Sequence, residues 1–344
     1  MTDIQAHHLP TNVRKRERLV DIERCKGLGI LLVVYGHLVM PGTFGSQAWY
    51  DSSQSVVYLF HMAFFMYLSG FVFFYTESHE ALGKDFSGYA LKKVDRLLIP
   101  FFFFGFAIVV GKELAGRVMH VDQSVQSFWS GILSVFTNAP QNPSISIWYL
   151  IVLFVYSIFT PLLWRLTRRS VTILFALSMC LFLYARLNSE LFYLNRVISY
   201  YAFFVAGMLC CRHRDIILPF ISRHIVTLGL IACCVLFVGR SQAYWLLACG
   251  LAAIPVLHAF MRLPVFENER VFLWLGQNSM AIYLMNTIFI GVMKGLYAKA
   301  LPFEGAWFPV FVLVLMAAGT LLPVAVKQLL EQIPSARPVY KYLR

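Results

Sequence analysis

Charged residues are scarce in this sequence. Of its 344 residues, 13% are Asp, Glu, Lys or Arg, about half the share of roughly 25% in soluble domains. Hydrophobic residues make up 59%. So few charges cannot cover the surface of a soluble globule, and this hydrophobicity excludes an intrinsically disordered chain. The composition therefore indicates a polytopic membrane protein, whose lipid-facing surface is apolar.

Metal-ligand motifs and a signal peptide are also lacking. The seven cysteines lie in or beside apolar stretches, and none has the spacing of a metal site or of a disulfide framework. We interpret them as small membrane hydrophobes and predict no metal. The first 24 residues are polar and basic and contain no apolar signal core. We therefore expect the N-terminus to stay in the cytoplasm.

Long apolar stretches are abundant. A helix needs about 20 mostly apolar residues to cross the hydrocarbon core, so the sequence predicts an all-α membrane helix bundle of about ten transmembrane helices. The predicted spans lie near residues 25–44, 55–76, 97–116, 147–164, 171–187, 197–212, 225–239, 243–262, 272–295 and 306–330. We expect a basic cytoplasmic tail at 1–24, a transmembrane domain at 25–330 and a cytoplasmic tail at 331–344.

The basic residues indicate the orientation of the chain. A net charge of +12 is compatible with a nucleic-acid partner, but the basic residues are scattered between apolar stretches, and we expect no such partner. With both termini in the cytoplasm, about three quarters of the 29 Lys and Arg residues fall in inner segments. The positive-inside rule therefore favours cytoplasmic N- and C-termini.

Ionisable residues inside predicted spans are functional candidates, because placing them in a bilayer costs at least a few kcal/mol. In the first span, Lys26 and His37 are eleven residues apart, which puts them on nearly the same helix face and roughly 16 Å apart along the axis. Glu23 is placed to pair with Lys26. His61, in the second span, lies at about the depth of His37. The two histidines either flank a common cavity or are neutral and hydrogen-bonded across helices.

Polar and aromatic residues also lie at or within other predicted spans: Lys92, Lys93 and Arg96 just before the third, Trp148 and Tyr149 in the fourth, and Asn286 in the ninth. The basic cluster either reflects topology alone or holds a phosphate-rich ligand. An interfacial aromatic belt explains the Trp and the Tyr equally well. Hydrogen bonding between helices is the alternative explanation for the asparagine.

Several short motifs follow one another in a fixed order: Glu23 with Lys26-Gly27 and Gly36-His37, then residues 61–70, Arg96 to Pro100, 148–150 and 276–283. In this order the chain resembles acyltransferase family 3 over residues 19–330, most closely its fucose-4-O-acetylase-like branch. Two positions depart from the family pattern. Ala63 stands where a proline is frequent, and Asn286 stands where a histidine is frequent, which weakens any catalytic role for Asn286.

The resemblance implies acyl transfer, usually of acetyl, from cytoplasmic acyl-CoA to a hydroxyl of a cell-surface or lipid-linked sugar. An outward-facing enzyme of this kind suggests a bacterial inner membrane. His37 would be the general base or would carry the acyl group transiently. His61 would orient the acceptor or polarise the thioester carbonyl.

Basic residues at the cytoplasmic rim would hold the CoA phosphates: Lys26, Lys92, Lys93 and Arg96. The remaining candidates bind or support the substrate: Glu23, Ser69, Trp148, Tyr149, Arg196 and Asn286. Of these, we expect the Trp, the Tyr and the Arg to meet a sugar that arrives from outside.

Two other functions compete with acyl transfer. A transporter or flippase for sugars or lipid-linked glycans suits many spans with buried polar groups, but the first five spans do not resemble the last five, as repeated transporter halves do. A non-catalytic sensor or assembly scaffold would leave Lys26 and His37 without a role. The expected partners are acyl-CoA, the sugar acceptor and the lipid bilayer, and a homo-oligomer is an open alternative.

Overall fold

Helices dominate the structure. The computed structural model describes residues 19–83, 85–116, 128–137, 145–184, 193–238 and 243–343, and these ranges contain no strand. The prediction of an all-α protein is therefore confirmed. Residues 1–18 of the predicted N-terminal tail lie outside the described part of the chain.

The described part of the chain forms sixteen α-helices. The first half of the chain contains α1 (Val20–Gly36), α2 (Ala48–Tyr58), α3 (His61–Tyr75), α4 (Phe86–Lys93), α5 (Ile99–Ala115), α6 (Phe128–Thr137), α7 (Tyr149–Leu166) and α8 (Val171–Tyr184). The second half contains α9 (Leu194–Arg212), α10 (Arg214–Arg223), α11 (Ile225–Val238), α12 (Ala243–Phe260), α13 (Val271–Gln277), α14 (Ser279–Ala300), α15 (Phe308–Gln332) and α16 (Arg337–Tyr340).

Six segments of the described chain are long and apolar enough to cross a membrane: Ala48–Tyr75, Phe86–Ala115, α7, α9, α14 and Gly305–Gln332. The pair formed by α10 and α11 is bent by 78° and makes a seventh if it counts as one span. Parts of α8 and α12 are shorter apolar helices. The protein is thus a membrane helix bundle, whereas about ten spans and cytoplasmic termini stay predictions.

The first two predicted spans differ from the helices that form. The first was expected at 25–44, but α1 runs from Val20 to Gly36. Pro41 and Gly42 follow in a segment of turns, and Gly42 has a φ of +76°. The helix does not continue through Pro41, because proline lacks the N–H that a helix interior needs. The second predicted span, 55–76, is divided into α2 and α3 by a break at residues 59–60.

A close crossing fixes α1 against α13. A Cβ atom on Gly27 would lie 2.0 Å from the carbonyl oxygen of Phe272, and one on Gly276 would lie 1.9 Å from that of Glu23. Only glycine permits the two backbones to approach this closely. Helix association in a membrane relies on such tight packing at small residues. The crossing therefore positions the part of α1 that carries Glu23.

A second close crossing joins α3 to α9. A Cβ atom on Gly70 would lie 1.8 Å from the carbonyl oxygen of Phe204, and one on Gly207 would lie 1.9 Å from that of Tyr67. The same small-residue packing applies here. As a result, α9 covers one side of α3 and leaves another side available to line a cavity.

A polar cluster connects α1, α3, α9 and α12. The Arg262 guanidinium lies 2.6 Å from the Asp21 carboxylate, and Nε2 of His258 lies 3.6 Å from the same carboxylate oxygen. The Tyr67 hydroxyl is 2.6 Å from Nδ1 of His258 and 3.0 Å from the Cys210 sulfur. These contacts anchor the beginning of α1 to its neighbours.

Candidate functional site

A cavity of about 240 Å³ lies beside α3. Its longest wall is one face of α3, where residues from Met62 to Thr76 recur at the spacing of three or four that brings side chains to one side of a helix. At about 1.5 Å per residue this wall is roughly 21 Å long. The other walls come from α1, from residues 93–97, from the first half of α7 and from the start of α14.

Cationic side chains contribute to the cavity wall. Lys26, Lys93 and Arg96 all line it, so the structure brings together three of the four predicted cofactor-binding residues. Lys92 is exposed and is not among the described lining residues. Nζ of Lys26 lies 2.9 Å from a carboxylate oxygen of Glu23, in an ion pair across one helical turn. The site thus has cations available for a negatively charged ligand.

A π-helical turn at Val94–Leu98 positions this basic segment. Pro100 follows and has no N–H to donate to the carbonyl of Arg96, so the regular α-helical ladder cannot continue through this point. Single π-helical turns occur often at functional sites. Asp95, in the same turn, forms a 2.6 Å ion pair with Lys341, near the fully buried Leu343. The C-terminal residues therefore pack against the segment that carries Arg96.

Hydroxyl groups meet in the middle of the cavity wall. The hydroxyls of Ser69 and Tyr149 form a short hydrogen bond, and Ser69 Oγ donates to the carbonyl of Phe65 at 2.9 Å. Since Ser69 has one proton to give, Tyr149 is the donor of the pair and keeps its lone pairs for a ligand. Tyr283 holds Tyr149 in place, because its hydroxyl accepts from the Tyr149 backbone N–H at 3.2 Å.

The two predicted catalytic histidines lie around one tyrosine ring. His37 follows the last residue of α1 and is half-buried, whereas His61 begins α3 and is 2% exposed. Their ring centroids are 6.4 Å and 5.0 Å from that of Tyr58. Neither histidine is among the described lining residues of the cavity, but Met62, the neighbour of His61, lines its end. His61 therefore directly precedes a residue at the end of the cavity, and the Tyr58 ring lies beside both His61 and His37.

Comparison with known proteins identifies the family. Residues 19–327 match the sequence model described as the acyltransferase domain of acyltransferase family 3. The chain belongs to this family. No curated protein and no solved structure matches it. The family and the apolar helices together show that the protein is a membrane acyltransferase.

Trp148 and Arg196 of the acyltransferase are not among the described lining residues of the cavity. The Arg196 guanidinium is 4.7 Å from the centre of the Trp148 ring, and Tyr200 packs on the same ring at 5.0 Å. Trp148 is buried rather than displayed at a surface. Tyr149, by contrast, shares the cavity with the cations. The two neighbouring aromatic residues therefore lie in different environments.

Asn286 is 1% exposed and lies one turn beyond Tyr283 on α14. Its amide nitrogen donates to the carbonyls of Ile282 and Tyr283, each at 2.9 Å. These bonds stay within α14, so the explanation by hydrogen bonding between helices is wrong for this nitrogen. The amide oxygen is buried without a hydrogen-bond partner in the described part of the chain.

Sequence reasoning missed several polar residues that the acyltransferase places at the site: Tyr58 between the histidines, and Thr76, Ser157, Ser279 and Tyr283 in the cavity wall. Ser279 and Tyr283 belong to the late motif, which was a usable signal. Tyr58 lies three residues before His61. Its position depends on the break between α2 and α3, for which the sequence carries no clear signal.

Proposed function

We propose that this acyltransferase moves an acetyl group from cytoplasmic acetyl-CoA to a hydroxyl of a cell-surface or lipid-linked sugar, as a fucose-4-O-acetylase-like enzyme of a bacterial inner membrane. One observation carries the proposal: a cavity has cations in its wall, and one of its ends is lined by the residue that follows His61, which shares the Tyr58 ring with His37. A thioester whose phosphates bind the cations can extend along α3 toward the histidines.

The chemistry of the walls supports acyl-CoA as the donor. Lys26, Lys93 and Arg96 suit its phosphates, since cations form strong charge-assisted hydrogen bonds with phosphate oxygens. The volume of about 240 Å³ is below the roughly 300–1,000 Å³ of typical ligand pockets. Such a cavity suits the narrow pantetheine arm, with the nucleotide outside it. The free lone pairs of Tyr149 can accept a hydrogen bond from an amide of that arm.

His37 is the proposed general base. A neutral imidazole takes the proton of the acceptor hydroxyl as the hydroxyl oxygen attacks the thioester carbonyl carbon. A new C–O bond forms, the C–S bond breaks, and the departing thiolate receives the proton from His37. The products are the ester and free CoA thiol. Transient acylation of His37 is the alternative route and gives the same products.

His61 suits one of its two expected roles better than the other. Its Nδ1 lies 2.8 Å from the carbonyl oxygen of Val57, which can only accept, so Nδ1 carries the proton. In the neutral ring, Nε2 is then an acceptor. An acceptor can orient the sugar hydroxyl, whereas polarising the thioester carbonyl requires a donor. We therefore assign His61 to orienting the acceptor.

Steady-state kinetics of lysine variants tests donor binding. We expect Lys26→Met and Lys93→Met each to raise the KM for acetyl-CoA by a factor of about 10 or more, because a hydrogen bond to a charged group is worth about 1.5–3 kcal/mol. Lys299→Met is the matched control, since Lys299 is exposed near the other end of α14. An unchanged KM in both cavity variants, or an equal rise in the control, would contradict the proposed donor site.

A further inference from the structure

The short helix α10 lies across the direction of its neighbour α11. It contains ten residues and makes an angle of 78° with α11. The surface of α11 is apolar and faces outward, with Phe237 93% exposed and Val226 and Leu230 also exposed, as expected of a helix in contact with lipid. If α11 runs across the bilayer, α10 lies close to the plane of the membrane.

Two faces of α10 are apolar, and only one of them is covered by protein. Leu218 and Ile221 are buried against the bundle. Ile216 and Phe220, one helical turn apart, are 72% and 54% exposed on another face. An apolar face that the protein leaves open, on a helix in the membrane plane, is typical of a helix that enters the boundary between headgroups and acyl chains.

Basic residues flank this open apolar face. Arg212, Arg214 and Arg223 are all exposed at the two ends of α10. Asp215 is the one acidic residue between positions 212 and 224, and it lies 3.8 Å from Arg214 at the surface. The segment therefore has a net positive charge beside exposed apolar side chains. Guanidinium groups bind phosphate in a bidentate manner.

We propose that α10 is a binding site for anionic glycerophospholipids, with headgroup phosphates held by Arg212 and Arg214 at one end of the helix and by Arg223 at the other, and the acyl chains in contact with Ile216 and Phe220. A lipid satisfies both features of the helix, whereas a free phosphate leaves the apolar side chains in water. The site is separate from the acyl-transfer cavity, so its failure and the failure of the proposed acyl transfer are distinguishable.

Lipid titration of the purified full-length protein tests this site. In dodecyl maltoside micelles, bound dioleoylphosphatidylglycerol and dioleoylphosphatidylcholine are counted by native mass spectrometry. Each basic residue near an anionic lipid strengthens binding about fivefold. We therefore expect the wild type to prefer phosphatidylglycerol by more than about tenfold, and the triple variant Arg212→Gln/Arg214→Gln/Arg223→Gln to lose that preference.

The control variant removes three exposed arginines from the last turn of α7 and the turn that follows it: Arg165→Gln/Arg168→Gln/Arg169→Gln. We expect it to keep the preference, with both variants eluting as the wild type does in size exclusion. Ile216→Ser/Phe220→Ser should weaken the binding of both lipids. Equal binding of both lipids to the wild type, or an equal loss in the control, would overturn the proposal. Competition by soluble glycerol phosphate as strong as by the lipid would indicate a free-phosphate site instead.

Discussion

Single hydrogen bonds determine what the residues of the site can do chemically. Sequence reasoning placed His61 at the depth of His37 but left its role open between orienting and polarising. The bond from its Nδ1 to Val57 assigns the proton to one ring nitrogen, and this supports the orienting role that we propose for His61. The bond depends on the conformation of a helix break, which residue spacing does not reveal.

Another single hydrogen bond, to a carboxylate outside the spans, makes stability depend on pH. Nε1 of Trp164 donates to Glu80 at 3.0 Å and, with Arg169 nearby, holds the pKa of Glu80 below its ordinary value of 4.5. Because the folded state has the lower pKa, this stabilisation is present above about pH 4.5 and is lost as the pH falls through the lowered pKa.

We expect Trp164→Phe to lower the free energy of unfolding in detergent by roughly 1 kcal/mol or more at pH 7. The difference in the free energy of unfolding between this variant and the wild type should narrow on acidification. The difference that remains reflects lost packing of the indole. In Glu80→Gln, the free energy of unfolding should depend less on pH in the acid range, while the amide oxygen still accepts from the indole N–H. Thermal unfolding between pH 3 and pH 7 measures both. A difference in stability between Trp164→Phe and the wild type that stays constant from pH 3 to pH 7 would rule out the Glu80 carboxylate as the source of that difference.

At the scale of helices, apolar length predicted where the chain is helical, but not where the helices break. The break between α2 and α3 lies inside an apolar stretch, and the π-helical turn before Pro100 lies where another apolar stretch begins. Proline at position 100 was a signal for the second irregularity. The first depends on packing around Tyr58, whose hydroxyl donates to the Gly36 carbonyl at 2.9 Å, and such a long-range contact is not visible in periodicity.

The crossing of α3 with α9 predicts a sharp difference between two glycines. In Gly70→Ala the new Cβ would lie 1.8 Å from the Phe204 carbonyl oxygen, so the helices must separate, at a cost of about 1–3 kcal/mol. Gly229, in α11, has no atom within 4 Å of the corresponding position. We expect Gly229→Ala to be neutral or up to about 1 kcal/mol more stable. Thermal unfolding in detergent compares them, and equal effects would contradict the packing described for α3.

At the scale of the whole molecule, the order of the motifs was enough to predict the family and the candidates for the site. The motif residues Lys26, Arg96, Ser69 and Tyr149 do share one cavity. Sequence could not predict that Trp148 and Arg196 pack against each other and are not among its described lining residues, because adjacent residues on a helix point in different directions. Nor could it predict a cavity whose walls come from five distant segments of the chain.

The most direct measurement of the central claim is thioester consumption by the purified protein in lipid nanodiscs. The protein is incubated with acetyl-labelled acetyl-CoA and a deacetylated cell-surface polysaccharide. We expect the wild type to release CoA thiol and to transfer the label to the sugar, and a folded His37→Ala variant to do so about 10²–10⁴-fold more slowly. A transporter or flippase predicts no thioester loss. An undiminished rate in His37→Ala, or a wild type that consumes no thioester with such acceptors, would contradict acyl transfer through this site.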